Sequence, residues 1–131
     1  MSDAHADRRT PARPDGPLDL GAEGERLLDQ ARGMSAGRAA RTLTPGVHVA
    51  LKQTLVALRG GVELDEHQAN GPATIQLLRG SATMHSQEGA VPLQGGQWAD
   101  IPDAPHTLHA GEDTIALITV APPVEPGVHT G

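Results

Sequence analysis

The groups available for acid, base or ligand chemistry are the carboxylates and seven histidines: His5, His48, His67, His85, His106, His109 and His129. Imidazole changes charge near neutral pH and is a common metal ligand, so these residues carry whatever proton transfer or coordination the chain performs. Cysteine, tyrosine and phenylalanine are absent and Trp98 is the single aromatic residue. That composition excludes disulfides, thiolate zinc sites, thiol nucleophiles, catalysis by a tyrosine and base-stacking platforms. His5 and His129 lie in proline-rich ends without a rigid setting and are set aside. His109 follows His106 by three residues, so on a regular strand the two point to opposite faces and share no site. The same alternation puts Asp65 and His67 on one face and Glu66 on the other. His48 and His85 have neighbours typical of strand surfaces, and Trp98 offers a large apolar area suited to core or interface packing.

The elements that must position these groups follow from length and composition. The chain has 131 residues, which at roughly 100 to 200 residues per domain allows one domain with tails. Gly 16 and Pro 11 make about a fifth of the chain turn formers, which favours short strands and tight turns over a helical bundle. Ten Lys and Arg against 16 Asp and Glu give a net charge of −6, the wrong sign for a protein that binds by neutralising phosphates. No nucleic-acid partner is expected. No apolar run approaches the ~20 residues of a membrane span, and the N-terminal residues lack the apolar stretch of a secretory signal. The expectation is a soluble cytoplasmic protein with no membrane contact.

Six of the eleven prolines fall near the ends, where residues 1–18 and 122–131 are expected to be disordered tails. Residues 19–44 are expected to form a short helix and a connector. Leu20, Leu27, Leu28 and Ala31 share one helical face opposite Glu23, Glu25, Arg26 and Asp29, and the helix should end near Gly33. From Val47 the sequence alternates as a strand does. Breaks then recur at Gly60-Gly61, Asn70-Gly71-Pro72, Gly80, Gln87 to Gly89, Gly95-Gly96, Pro102 to Pro105 and Gly111 to Asp113. Between them lie the strand-length runs ATIQLLR, SATMHS, AVPLQ, QWADI and TIALITVA. Short strands with no long helix between them make residues 45–121 an all-β sandwich or barrel.

At two stretches the glycine, histidine and proline spacing resembles the cupin superfamily of small jelly-roll barrels. The first family motif runs Gly, five residues, His, one, His, three or four, Glu, six, Gly. Here Gly61, VELDE, His67, Gln68, Ala69, NGP, Ala73, TIQLLR and Gly80 keep that spacing. The second runs Gly, five residues, Pro, one, Gly, two, His, and Gly96, QWADI, Pro102, Asp103, Ala104, Pro105 and His106 follow it with one residue missing before the histidine. The chain is similar to small single-domain bacterial cupins of unassigned activity. The resemblance implies an all-β, cupin-type jelly-roll β-barrel with a short N-terminal helix. It also implies a metal site for iron, manganese, nickel or zinc, of which two of four ligand positions survive. His67 matches the first histidine and His106 the last, while Ala69 and Ala73 stand where the second histidine and the glutamate would be. Alanine has no lone pair to donate, so the usual site is degenerate.

Three functions remain open. In the first, the barrel binds a small molecule without chemistry. Its mouth is lined by Leu55, Ile75, Leu77, Ile101 and Leu108, and the ligand's polar end meets His67, His106 and Gln53. The second is an enzyme, either a metal-dependent oxygenase or isomerase with an atypical site at His67 and His106, or a metal-free acid/base catalyst. The third is a structural or interaction module acting as a homodimer, since exposed strand edges need covering.

Overall fold

The computed structural model describes residues 16–45, 50–68 and 71–123. His5, His48, Ala69 and His129 lie outside the described residues, as does most of both expected tails. Helix α1 spans Leu20–Arg32. Asp19 caps it, its carboxylate accepting from the Ala22 N–H at 3.0 Å, and Gly33 ends it. Its apolar face buries Leu27, Leu28 and Ala31. Glu23, expected on the polar face, is also buried. It is held there by ion pairs with Arg26 at 2.6 Å and with Arg41 at 3.1 Å.

Among the described residues nine strands follow: β1 Arg38–Thr42, β2 Lys52–Leu58, β3 Glu63–His67, β4 Ala73–Arg79, β5 Ser81–Ser86, β6 Gly89–Gln94, β7 Trp98–Ile101, β8 His106–Ala110 and β9 Thr114–Val120. They form two antiparallel sheets, a five-stranded one in the order β1-β2-β9-β4-β7 and a four-stranded one in the order β3-β8-β5-β6. Among the described residues no ladder joins the two sheets, so the expected barrel takes the form of two facing sheets with open edges. The chain crosses from one sheet to the other between β4 and β5 at Gly80, whose φ of +94° and contact with the Asp113 carbonyl leave no room for a side chain. Strand β1 lies in the segment expected as a connector. Strands β3 and β8, which carry His67 and His106, lie outside the runs first read as strands.

Two apolar layers result. Between the sheets pack Val56, Leu58, Ile75, Leu77, Ala82, Met84, Leu93, Leu108, Ala110 and Ala116. On the outer face of the five-stranded sheet, Leu55, Ala57, Ile115 and Ala39 pack under Leu27, Leu28 and Ala31 of α1. The helix sits so close to β9 that a methyl group on Gly24 would lie 2.6 Å from Ile115 Cγ2. Strand β2 is thus buried on both faces, Thr54, Val56 and Leu58 inward and Gln53, Leu55 and Ala57 outward. Among the described residues no helix is long and apolar enough to cross a membrane.

Candidate functional site

The two motifs meet at one end of the sheet pair. Gln68, just after β3, meets Asp103, between β7 and β8, and its side-chain amide donates to the Asp103 carboxylate at 3.1 Å. In the backbone register His67 of β3 stands opposite His106 of β8, and His106 stands opposite Ser86 of β5. The register of β3 shifts between Leu64 and His67, because three residue steps on β3 span two on β8. A β-bulge at Asp65 and Glu66 absorbs the extra residue.

His106 is 4% exposed and shares the inward face of β8 with Leu108 and Ala110. Its Nδ1 lies 3.0 Å from the Ala104 carbonyl oxygen. A carbonyl only accepts, so Nδ1 carries a proton and donates it to that oxygen. The ring is therefore oriented by the loop that carries the second motif. Ser86, which sequence reasoning passed over, follows Ala82 and Met84 on the inward face of β5. The period of two that exposes this was present in SATMHS. Its Oγ accepts from the Glu88 N–H at 3.1 Å.

Packing between the sheets loosens toward this end. Of the inward-facing residues of β9, Thr114 and Ala116 are buried while Ile118 and Val120 are half-buried. Of those of the antiparallel β2, Val56 and Leu58 are buried while Thr54 is half-buried. Ile101 and Ile118, packed on the edge of the inner core, are likewise half-buried. A hollow of about 310 Å³ adjoins the same end, lined by His85, Ser86, Gln87, Pro105 and Thr107.

Several expected site residues lie elsewhere. Gln53 does not face the space between the sheets: it shares the outward face of β2 with Leu55, and its side-chain amide donates to Thr119 Oγ1 at 3.2 Å. Leu55, expected at the mouth, is fully buried under α1. Leu77 and Leu108 are buried in the inner core, and of the five expected mouth residues Ile101 stands at the loosened end. His85 and His109 are exposed, on the opposite face of the four-stranded sheet from His106. Trp98 is 58% exposed on the outward face of β7, which excludes the core reading. The helix covers a sheet face and not the mouth.

Ala73, at the position of the glutamate, is buried in the series Ala73, Ile75, Leu77 and offers a methyl group. Among the described residues no three His, Asp or Glu side chains are grouped so as to hold a metal ion.

No protein-family model and no curated protein sequence matches the chain. Solved structures do. A conserved protein of unknown function from Streptococcus pyogenes is similar at 25% identity and TM-score 0.69 over 88% of this chain and 94% of that one. A cupin superfamily protein from Desulfitobacterium hafniense matches at 13% identity and TM-score 0.66 over 88% and 99%. A salicylate 1,2-dioxygenase from Pseudaminobacter salicylatoxidans matches at 21% identity and TM-score 0.68, over 86% of this chain but 36% of that longer one. The fold is therefore that of the cupin superfamily, and the protein is similar to small cupin-domain proteins of unassigned activity.

Proposed function

We propose that the protein binds a small, mainly apolar molecule between its two sheets at the end where the motifs meet, with the polar group of that molecule against His106. The observation that carries this reading is a buried imidazole, oriented by the Ala104 carbonyl, at the end where Ile101, Ile118 and Thr54 give up their close packing. An apolar recess with a few oriented polar groups is the usual character of a ligand site. Ser86 and the register position of His67 add polar groups in the same cross-strand row.

Native mass spectrometry of protein purified without a histidine tag tests the reading. A bound organic molecule, lost from a folded His106→Ala variant, is the expected result. An unliganded protein that takes up no small molecule from a library would overturn it.

The second reading is a metal-dependent enzyme acting through His67 and His106. It draws support from the register that pairs the two surviving motif histidines and from the fold shared with a dioxygenase. Two imidazoles leave most positions of a four- to six-coordinate ion to water or substrate. Elemental analysis beside a His67→Ala, His106→Ala double variant separates the readings. Near-stoichiometric metal lost from the variant favours the enzyme.

A further inference from the structure

Strand β2 begins with a charge on the face that it turns toward the other sheet. Lys52 precedes Thr54, Val56 and Leu58 at the spacing of two that puts all four on that face. Across the five-stranded sheet the register runs Lys52, Val120, Ala73, Ile101 in the last row and Thr54, Ile118, Ile75, Ala99 in the row before it. In the four-stranded sheet the row at the same end runs His67, His106, Ser86. The chain passes between the two sheets twice at this end, from His67 to Ala73 and from Ile101 to His106.

Among the described residues that face inward in these rows, Lys52 carries the one fixed charge. The described carboxylates of this end lie outside the rows and are exposed. Asp65 sits in the bulge of β3, Asp100 is on the outward face of β7 with Trp98, and Asp103 accepts from Gln68. Ala73, where the family's glutamate would stand, adds no negative charge. The five ion pairs among the described residues use Arg26, Arg32, Arg41 and Arg79, and none includes Lys52. An ammonium beside an apolar recess favours an anion over a neutral group of the same shape, because the attraction grows as water is displaced. Hydrogen bonds between ionised partners are also about twice as strong as neutral ones. One ammonium in a chain of net charge −6 balances a single negative charge, which suits a monocarboxylate better than a phosphate dianion.

We propose that Lys52 makes the recess selective for small monocarboxylic acids with an apolar body: the polar group that meets His106 is a carboxylate whose charge Lys52 balances. The body of the acid then lies along Ile101 and Ile118. This inference rests on the ligand reading above. An NMR titration of the ¹⁵N-labelled native chain near neutral pH with two matched pairs, hexanoate with hexanamide and benzoate with benzamide, separates the charge from the rest of the ligand. Each acid is expected to bind roughly tenfold or more tightly than its amide. Lys52→Met should abolish that preference and leave the amides as they were, whereas Lys52→Arg should keep it. Residue 52 is exposed at the first position of β2, so both variants should keep native circular dichroism, and Lys52→Gln serves as a second neutral variant. Acids and amides bound equally by the native chain, or a preference that survives in the neutral variants, would overturn the role of Lys52 while leaving the recess as a ligand site. Neither member of either pair shifting Ser86, Ile101, His106 or Ile118 would overturn the ligand reading and this inference with it.

Discussion

His67 and His106 stand directly opposite each other across β3 and β8, and they do so because β3 carries one extra residue after Leu64. Without the bulge, the register set by Leu64 and Leu108 would place Glu66 opposite His106 instead. The irregularity therefore sets which residue stands opposite His106 in the backbone register, which is a common use of bulges near functional sites.

The helix acts as a cover of the five-stranded sheet, and its fit there is tight. Gly24→Val is expected to destabilise the protein by about 1–3 kcal/mol, because the new side chain meets Ile115. Leu28→Ala, at a fully buried position, is expected to cost about 2–5 kcal/mol. Urea unfolding followed by circular dichroism measures both. A helix that gated the mouth would instead leave stability unchanged and alter ligand exchange.

Acid should loosen the same contact. Hydrogen bonding from Arg26 lowers Glu23 below its ordinary 4.5 despite opposing desolvation. The Gly60 N–H, followed by Arg32, lowers Asp113 below its ordinary 3.8. A carboxylate with a depressed folded-state pKa contributes stability that is present above its unfolded value and lost as pH falls through the folded one. Stability should therefore decline as pH falls below about 4.5 for Glu23 and below about 3.8 for Asp113. Glu23→Gln and Asp113→Asn should each flatten that decline in thermal unfolding from neutral to acid pH. A slope unchanged in both variants would contradict the assignment.

Trp98 should report water. With 58% of its surface exposed on an edge strand, its fluorescence is expected to be red-shifted and readily quenched by acrylamide. Trp98→Ala should change stability by no more than about 0.5 kcal/mol, as exposed substitutions usually do. A blue-shifted, protected emission would mean that another surface covers it.

Much of this architecture was legible from periodicity and punctuation. Runs ATIQLLR and SATMHS became β4 and β5 to the residue, and the helix starts after Asp19 and ends at Gly33 as its caps dictate. Strand β1 was hidden because RAART buries Ala39 alone, and β3 because ELDEH is a charged edge with a bulge. Gln53 was assigned to the wrong face for a physical reason. Alternation shows that Gln53 and Leu55 share a face but not which face is inside, and α1 makes both faces of β2 apolar. His106 was legible through the family spacing, whereas the Ala104 carbonyl that orients it depends on a loop conformation no periodicity encodes.

The alanine at the position of the family's glutamate makes a constructive prediction. Ala69→His with Ala73→Glu restores the implied donor set. The double variant should be less stable than the native chain when free of metal, since a buried carboxylate without a partner is costly. It should also gain thermal stability on adding zinc or nickel, by mass action on the folded state. Equal responses of native and variant protein to metal would show that these positions do not face a common site.

The most direct test of ligand binding at His106 is an NMR titration of ¹⁵N-labelled protein with two small probes, phenol and hexanoate, followed residue by residue. The account predicts saturable shifts clustered at Ser86, Ile101, His106 and Ile118, absent from a folded His106→Ala variant for at least one probe. Shifts confined to the outward faces of the sheets, or identical shifts in the variant, would contradict a binding site built around His106.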